Sequence, residues 1–419
     1  MDPMEAILGF AIMMYMFESY LDLRQYTALK SPTLPKPLVG VISQKKFEKS
    51  RAYNIEKSRL HLVHKLVIVL MDSSLLYFGI LPWFWKMSGE FLVHANINAE
   101  NETFHTLAFL ACLMFKILIT NFAFSVYSTF VVEARHGLNK KTVRSFSWYI
   151  LKETILAIVI GAPIVASIIA IVQIVGPYLP VYLWTFNFVL ALVTTTPYPI
   201  ISVGFNRFKH LPSCNLRGKI VTLAWALNFP VKKLLVFPRS ETPRDSYAYT
   251  YGILKKKRIV LCDKLLKQCK DDEIVAVIAH ELGHWKLNHT MYSFITAQIL
   301  TLLQFGGCTL VMNSKDLFLS FGFDTQPVVM GFIISLYAVV PLQRLLSFLF
   351  NLVSWAFDFE ADSFAKKTGY GSPLRAALIK LQELEDLSSI NTDPWYDVFH
   401  YPEPSLVQRI AAMDESEWL

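Results

Sequence analysis

Charge is scarce in this 419-residue chain: Asp, Glu, Lys and Arg make up 17 % of it, against 53 % hydrophobic and 14 % aromatic residues. With a mean hydropathy of +0.38, it has more apolar surface than a soluble domain of this length buries, which points to a membrane as its solvent. Cysteine is scarce too. Cys112, Cys214, Cys262, Cys269 and Cys308 form no CxxC pair, which argues against a disulfide framework and against thiolate metal ligands. Internal repeats and low-complexity tracts are lacking. The first residues, MDPMEAILGF, carry acids where a secretory signal has a basic start, so a retained first membrane helix is expected there. The last residues include no CaaX cysteine, so the chain is expected to have no prenylation signal of its own. A formal charge of +7 on so weakly charged a chain fits cytosolic loops of a membrane protein and not a nucleic-acid partner.

Seven apolar runs are long enough to cross about 30 Å of hydrocarbon; they fall at 4–23, 62–85, 104–130, 150–175, 179–203, 291–312 and 328–352. Glu18 and Asp22 in the first and Lys116 and Asn121 in the third are expected to face a protein interior or a wet cavity, or, for Lys116, to snorkel to the interface. The basic segments after spans one and three read as cytosolic. The loop between them carries the sequon Asn101-Glu102-Thr103, which can be used only in the lumen. The N-terminus is then lumenal and the C-terminus cytosolic. Paired, Gly/Pro-broken spans of the kind transporters show are lacking. The expected division is a membrane region over 1–203, a cytosolic loop domain over 204–290, two further spans over 291–352 and a cytosolic C-terminal part over 353–419. Within the loop domain, 234–237 and 258–261 read as short strands.

One stretch carries chemistry: His280-Glu281-Leu282-Gly283-His284. On a helix His280 and His284 point the same way and can share a metal, while Glu281 lies about 100° round, beside it. This is the zinc-site pattern of a peptidase. Asp271-Asp272-Glu273 supplies acids favourable at a helix start, and the apolar run leading to His280 predicts a buried helix.

A catalytic zinc needs a third protein ligand and an open position. The candidates lie in Phe357-Asp358-Phe359-Glu360-Ala361-Asp362. Asp358 and Asp362 share a helix face, whereas Glu360 is rotated about 200° from Asp358, so only one of these arrangements meets the metal. A ligand with a carboxylate one turn on can bind zinc and also accept the N–H of a ligating histidine.

With these motifs, the chain resembles the type I CAAX prenyl endopeptidases, membrane zinc metallopeptidases that convert prenylated precursors such as a-factor and prelamin A. The resemblance runs through Leu34-Pro35-Lys36-Pro37-Leu38, 50–53, Glu133 to Thr142, His280 to His289, Asn351-Leu352-Val353-Ser354 and Phe357 to Lys367. It implies an all-α membrane protein of seven transmembrane helices forming a barrel around a large chamber, with a zincin-like domain of HExxH helix and small β element on the cytosolic side. It implies one Zn2+ on His280, His284 and Asp358, and Glu281 as the base. Arg409 would stabilise the oxyanion, and Asp362 matches the family's aspartate behind the ligands, sometimes called a proton donor. The expected partners are prenylated C-terminal CaaX peptides and membrane lipid, with no obligate protein partner. The expected place is the endoplasmic reticulum membrane and, in animals, also the inner nuclear membrane.

Three departures from the family pattern stand out. Asp358 occupies the place of the family's ligating glutamate, and Glu360 that of its glutamine. Asp245 and Tyr247 stand where the family has histidine and asparagine, and Glu403 stands where it has the histidine of a His-Pro pair. Tyr247 and Glu403 are thus the groove positions expected to bind substrate. The changes at Asp358, Tyr247 and Glu403 motivate an alternative, a weakly active or inactive paralogue that binds membrane substrates or serves quality control.

Overall fold

The computed structural model describes the chain except for residues 1, 140, 176–177, 196–208, 213, 238–247, 253–256, 385–389 and 416–419. Long helices dominate the described residues: α1 (Pro3–Leu29), α2 (Gln44–Tyr77), α3 (Ile80–His94), α4 (Glu102–Tyr127), α5 (Val143–Val175) and α6 (Leu179–Thr195) in the first half. Asn101 caps α4, its side chain accepting from the Thr103 and Phe104 amides at 3.0 and 3.3 Å.

Among the described residues, five helices are long and apolar enough to cross a membrane: Pro3–Leu29, Gln44–Tyr77, Glu102–Glu133, Val143–Ile174 and His289–Met312. A pair bent between Val339 and Leu342 would add a sixth, and Leu179–Leu192 is a shorter apolar helix. The break coincides with Pro341, which has no amide N–H for the helical ladder. The expected run at 62–85 is not one helix. α2 ends at Tyr77, Gly79 takes a left-handed φ of 64°, and α3 starts at Ile80. Apolar side chains continue through that turn, so a hydropathy window cannot register it. The helix also starts earlier than expected, because its basic half from Gln44 is helical as well.

The chain divides into two compact units. The first comprises Met1–Lys30, Arg51–Phe186 and Leu300–Leu346, with Leu81, Phe109, Phe318 and Met330 in its core. Several charged residues among its helices are paired with one another. Lys65 reaches Glu18 at 3.0 Å and Asp22 at 2.7 Å, Arg344 also bonds Glu18, and Lys116 bonds Asp72. His64 and Asn121 share a 2.9 Å hydrogen bond. Pairing is the usual resolution for ionisable groups among membrane helices, and Lys116 takes it in place of snorkelling.

The second unit comprises Ser31–Ser50, Asn187–Ile299 and Ser347–Leu419. It holds strands β1 (Lys209–His210), β2 (Val231–Phe237), β3 (Ala248–Tyr251) and β4 (Lys257–Cys262) in the order β1-β2-β4-β3. The two expected strands are β2 and β4, parallel neighbours with Leu234 opposite Ile259; β1 and β3 pair antiparallel at the edges. β4 buries Ile259, Val260, Leu261 and Cys262 in succession, as a strand covered on both faces does. Around the sheet lie α7 (Asn215–Ala226), α8 (Asp263–Gln268) and the metal-site helix α9 (Asp271–Lys286).

α9 is buried along nearly its whole length, from Glu273 to Gly283 apart from Glu281. Its start is fixed by Glu273, whose carboxylate accepts the Lys270 amide at 2.7 Å and pairs with Lys380 Nζ at 2.7 and 2.6 Å. Lys380 belongs to α13 (Gly371–Leu384); between α9 and α13 run α10 (His289–Met312), α11 (Lys315–Ser320) and α12 (Val328–Ala365). The chain closes with α14 (Pro394–His400) and α15 (Leu406–Glu415).

Candidate active site

His280 and His284 sit one turn apart on α9, and the C-terminal turns of α12 bring Asp358 to them. His280 Nε2 lies 3.2 Å from His284 Nε2, which lies 3.2 Å from Asp358 Oδ1. One donor atom from each of the three residues falls within 4.8 Å of the others. A tetrahedral zinc with bonds of about 2.0–2.1 Å separates its ligand atoms by roughly 3.3 Å, so this donor set fits one ion. Glu360 faces elsewhere: it is 60 % exposed and bonds His289 Nε2 at 3.1 Å.

Close helix packing compensates for the short reach of Asp358. A Cβ at Gly283 would lie 3.3 Å from Ala361 Cα and 3.1 Å from Phe364 Cδ1. Only a residue without a side chain lets α12 come this near to α9 without displacement, and an aspartate, one methylene shorter than glutamate, needs that approach.

Behind His280, Asp362 forms a tight polar knot with Arg409. Asp362 Oδ1 lies 2.7 Å from His280 Nδ1; Arg409 donates to Asp362 from Nε at 2.9 Å and from Nη2 at 2.6 Å. With Nε2 turned to the donor cluster, the His280 proton sits on Nδ1 and is donated to Asp362. Arg409 Nη2 lies 3.2 Å from that nitrogen; both are donors, and the shared carboxylate relieves their opposition. Burial, with the Arg409 charge added, pulls His280 down to about 4 despite Asp362, so the imidazole is neutral and its lone pair available. Burial works against the Asp362 charge, but Arg409 and the His280 bond hold its carboxyl well below the usual range. Burial pushes Glu281 up to about 7; His284 and Arg409 pull against this, while Asp358 and Glu403 add to it.

Of the two groove positions, Glu403 is exposed and close enough for its charge to act on Glu281; Tyr247 lies outside the described residues. Two contributors had no role from sequence alone. Asn351 Nδ2 donates to the Val398 and Phe399 carbonyls at 3.0 and 3.1 Å, and Trp355 Nε1 to the Tyr401 carbonyl at 3.1 Å. They hold α14 and the segment leading to Glu403 and Arg409. A signal existed: Asn351, Trp355, Asp358 and Asp362 recur at helical spacing on one face. α14 also had one, since Asp393 ahead of Pro394 is an N-cap pattern, and its side chain accepts the Trp395 and Tyr396 amides, each at 3.1 Å.

Comparisons with known proteins identify the family. Residues 25–206 match the family model described as CAAX prenyl protease N-terminal, five membrane helices, and residues 211–417 match peptidase family M48. A CAAX prenyl protease 1 homolog from Arabidopsis thaliana is 60 % identical, covering 98 % of this chain and 97 % of that protein. Its Homo sapiens counterpart is 33 % identical over 97 % of this chain and 94 % of its own. The crystal structure of S. mikatae Ste24p superposes with a TM-score of 0.86 at 31 % identity, covering 99 % of this chain and 100 % of that one. The chain is a multi-pass membrane metalloprotease and belongs to the CAAX prenyl protease family within peptidase family M48.

Proposed function

We propose that this protein is a zinc metalloendopeptidase that removes the C-terminal tripeptide of prenylated CaaX proteins, cutting between the modified cysteine and the first aliphatic residue. The observation that carries the reading is the convergence of His280, His284 and Asp358 on one point, in a chain whose relatives bear the name CAAX prenyl protease 1. When bound, zinc supplies a Lewis acid that acidifies water and polarises the scissile carbonyl. Glu281, beside the ligands on α9, takes the proton of the attacking water and passes it to the leaving amine. Asp362 accepts the Nδ1 proton of His280 and so keeps Nε2 aimed at the cluster. Arg409 holds Asp362 with its fork and places a positive charge where negative charge develops on the carbonyl oxygen. Glu403 lines the peptide groove, and the family resemblance assigns Tyr247 a substrate-binding role there.

In this reading seven helices form a barrel around a chamber in the endoplasmic reticulum membrane, and in the inner nuclear membrane of animals, with the metal site on the cytosolic side. The cytosolic part is assembled from 204–290 and 353–419. Support comes from the five apolar helices, the bent pair and the short helix Leu179–Leu192. Prenylated C-terminal CaaX peptides and membrane lipid are the partners; the reaction needs no nucleic acid and no obligate protein partner. Relatives named as proteases give no support to an inactive paralogue.

Purified, zinc-loaded protein is expected to cleave a farnesylated CaaX peptide and to lose that activity on Glu281→Gln. Absence of cleavage from a folded, zinc-loaded sample overturns the reading.

A further inference from the structure

His289 opens α10 and has no part in the reaction above, yet it is 3 % exposed and lies flat against Phe357, ring centroids 4.2 Å apart at 8°. Its Nδ1 is 3.1 Å from Nδ1 of His284, and its Nε2 is 3.1 Å from Oε2 of Glu360. The other nitrogen of His284, Nε2, faces His280 and Asp358. This arrangement fixes the protons. If Nε2 of His284 offers its lone pair to an ion, Nδ1 carries the hydrogen and donates it to Nδ1 of His289. His289 must then carry its own hydrogen on Nε2, where Glu360 accepts it.

We infer that His289 and Glu360 are positioning residues for the metal ligand His284, a His–carboxylate relay that fixes its ring and tautomer; the inference rests on the metal site proposed above. Both ligating histidines then end on a carboxylate, His280 directly on Asp362 and His284 through His289 on Glu360. A ligating histidine is commonly oriented this way, by the bond its second nitrogen makes. The buried imidazole spans the distance from a ligand to an acid that keeps 60 % of its side-chain surface in solvent, so the relay ends on a charge that need not be desolvated. The same contact accounts for Glu360, which stands two residues from Asp358 and lies outside the donor cluster of His280, His284 and Asp358.

The test is zinc affinity of the full-length protein, measured by competition with a chelator of known strength. His289→Leu is expected to weaken zinc binding by roughly 10–100-fold. His289→Asn puts an amide oxygen near the place of Nδ1 and is expected to stay within about threefold of the parent, because it still accepts from His284. Glu360→Gln keeps an acceptor and is expected to bind like the parent, whereas Glu360→Leu is weaker. Parent-like affinity in His289→Leu, or equal losses in His289→Asn and His289→Leu, overturns the inference. If His289→Leu does not fold, the exposed Glu360 pair decides: equal affinity of the Gln and Leu variants overturns it. Failure of the metal site itself reads differently, as a parent protein whose zinc binding is indifferent to Asp358→Ala.

Discussion

Gly283 lies against Ala361 so closely that a Cβ at residue 283 would come within 3.3 Å of the Ala361 Cα. The HExxH helix and the helix that carries Asp358 and Asp362 therefore meet backbone to backbone. This approach lets a ligand one methylene shorter than glutamate come within 3.2 Å of His284.

Gly283→Ala should push the two helices apart by a few tenths of an ångström. The expected result is a loss in zinc affinity of up to roughly tenfold, since a shift of that size uses up most of the about 0.5 Å within which a site keeps its productive geometry. A chelator competition that finds unchanged affinity in the alanine variant would show that α12 does not need so close an approach.

Asp358→Ala removes a ligand and should lower zinc affinity by more than the roughly 100-fold upper end typical of changes behind the ligands. Asp358→Glu, Tyr247→Asn and Glu403→His introduced together restore the family's residues. A large gain in cleavage of a farnesylated peptide is expected if the three changes have eroded turnover, and an unchanged rate would mark the site as retuned.

Asp362→Asn leaves Arg409 without the anion that neutralises it. Breaking a buried pair by removing one partner costs about 3–5 kcal/mol, so the thermal midpoint should fall together with zinc affinity. Arg409→Lys should not rescue the pair, because the Nε and Nη2 contacts to Asp362 require a planar fork. Equal midpoints for the arginine and lysine proteins would contradict this.

Asn351→Leu strands the Val398 and Phe399 carbonyls, at about 1–3 kcal/mol each where they remain buried. Faster hydrogen exchange over 394–404 and a higher KM are the expected signs, with zinc affinity changing little. Unchanged exchange there would remove Asn351 from the set that positions Glu403 and Arg409.

Asp397 gives a pH signature away from the metal. Its side chain is buried, and burial, with Asp393 adding to it, lifts the carboxyl to about 6 against a lowering bond from Thr392. A folded-state value above the unfolded one means that the folded form binds the proton more tightly. Stability from this group is thus full below about pH 4 and is lost as pH rises through 6. Asp397→Asn should therefore raise the thermal midpoint at pH 7.5, by up to about 3 kcal/mol of stability, and make little difference at pH 4. A gain that is the same at both pH values would rule out titration of Asp397 as its source.

Residues one turn apart reveal their shared face in the sequence, because helical periodicity is local. His280 with His284, and Asp358 with Asp362, were legible for that reason, as were the apolar lengths of the membrane helices and the rotation of Glu360 away from Asp358. The turn at Gly79 was not, since apolar side chains run on through it and only the left-handed backbone of Gly79 marks the break. Nor could any spacing rule join residues far apart in the chain. That Glu360 meets His289, that Arg409 closes its fork on Asp362, and that Asn351 holds the carbonyls ahead of Glu403 depend on which helix faces pack together. Sequence alone determined which residues could bind a metal and on which faces they lie; tertiary packing, through the bare backbone at Gly283 and the buried carboxylates behind the histidines, decided which of them converge.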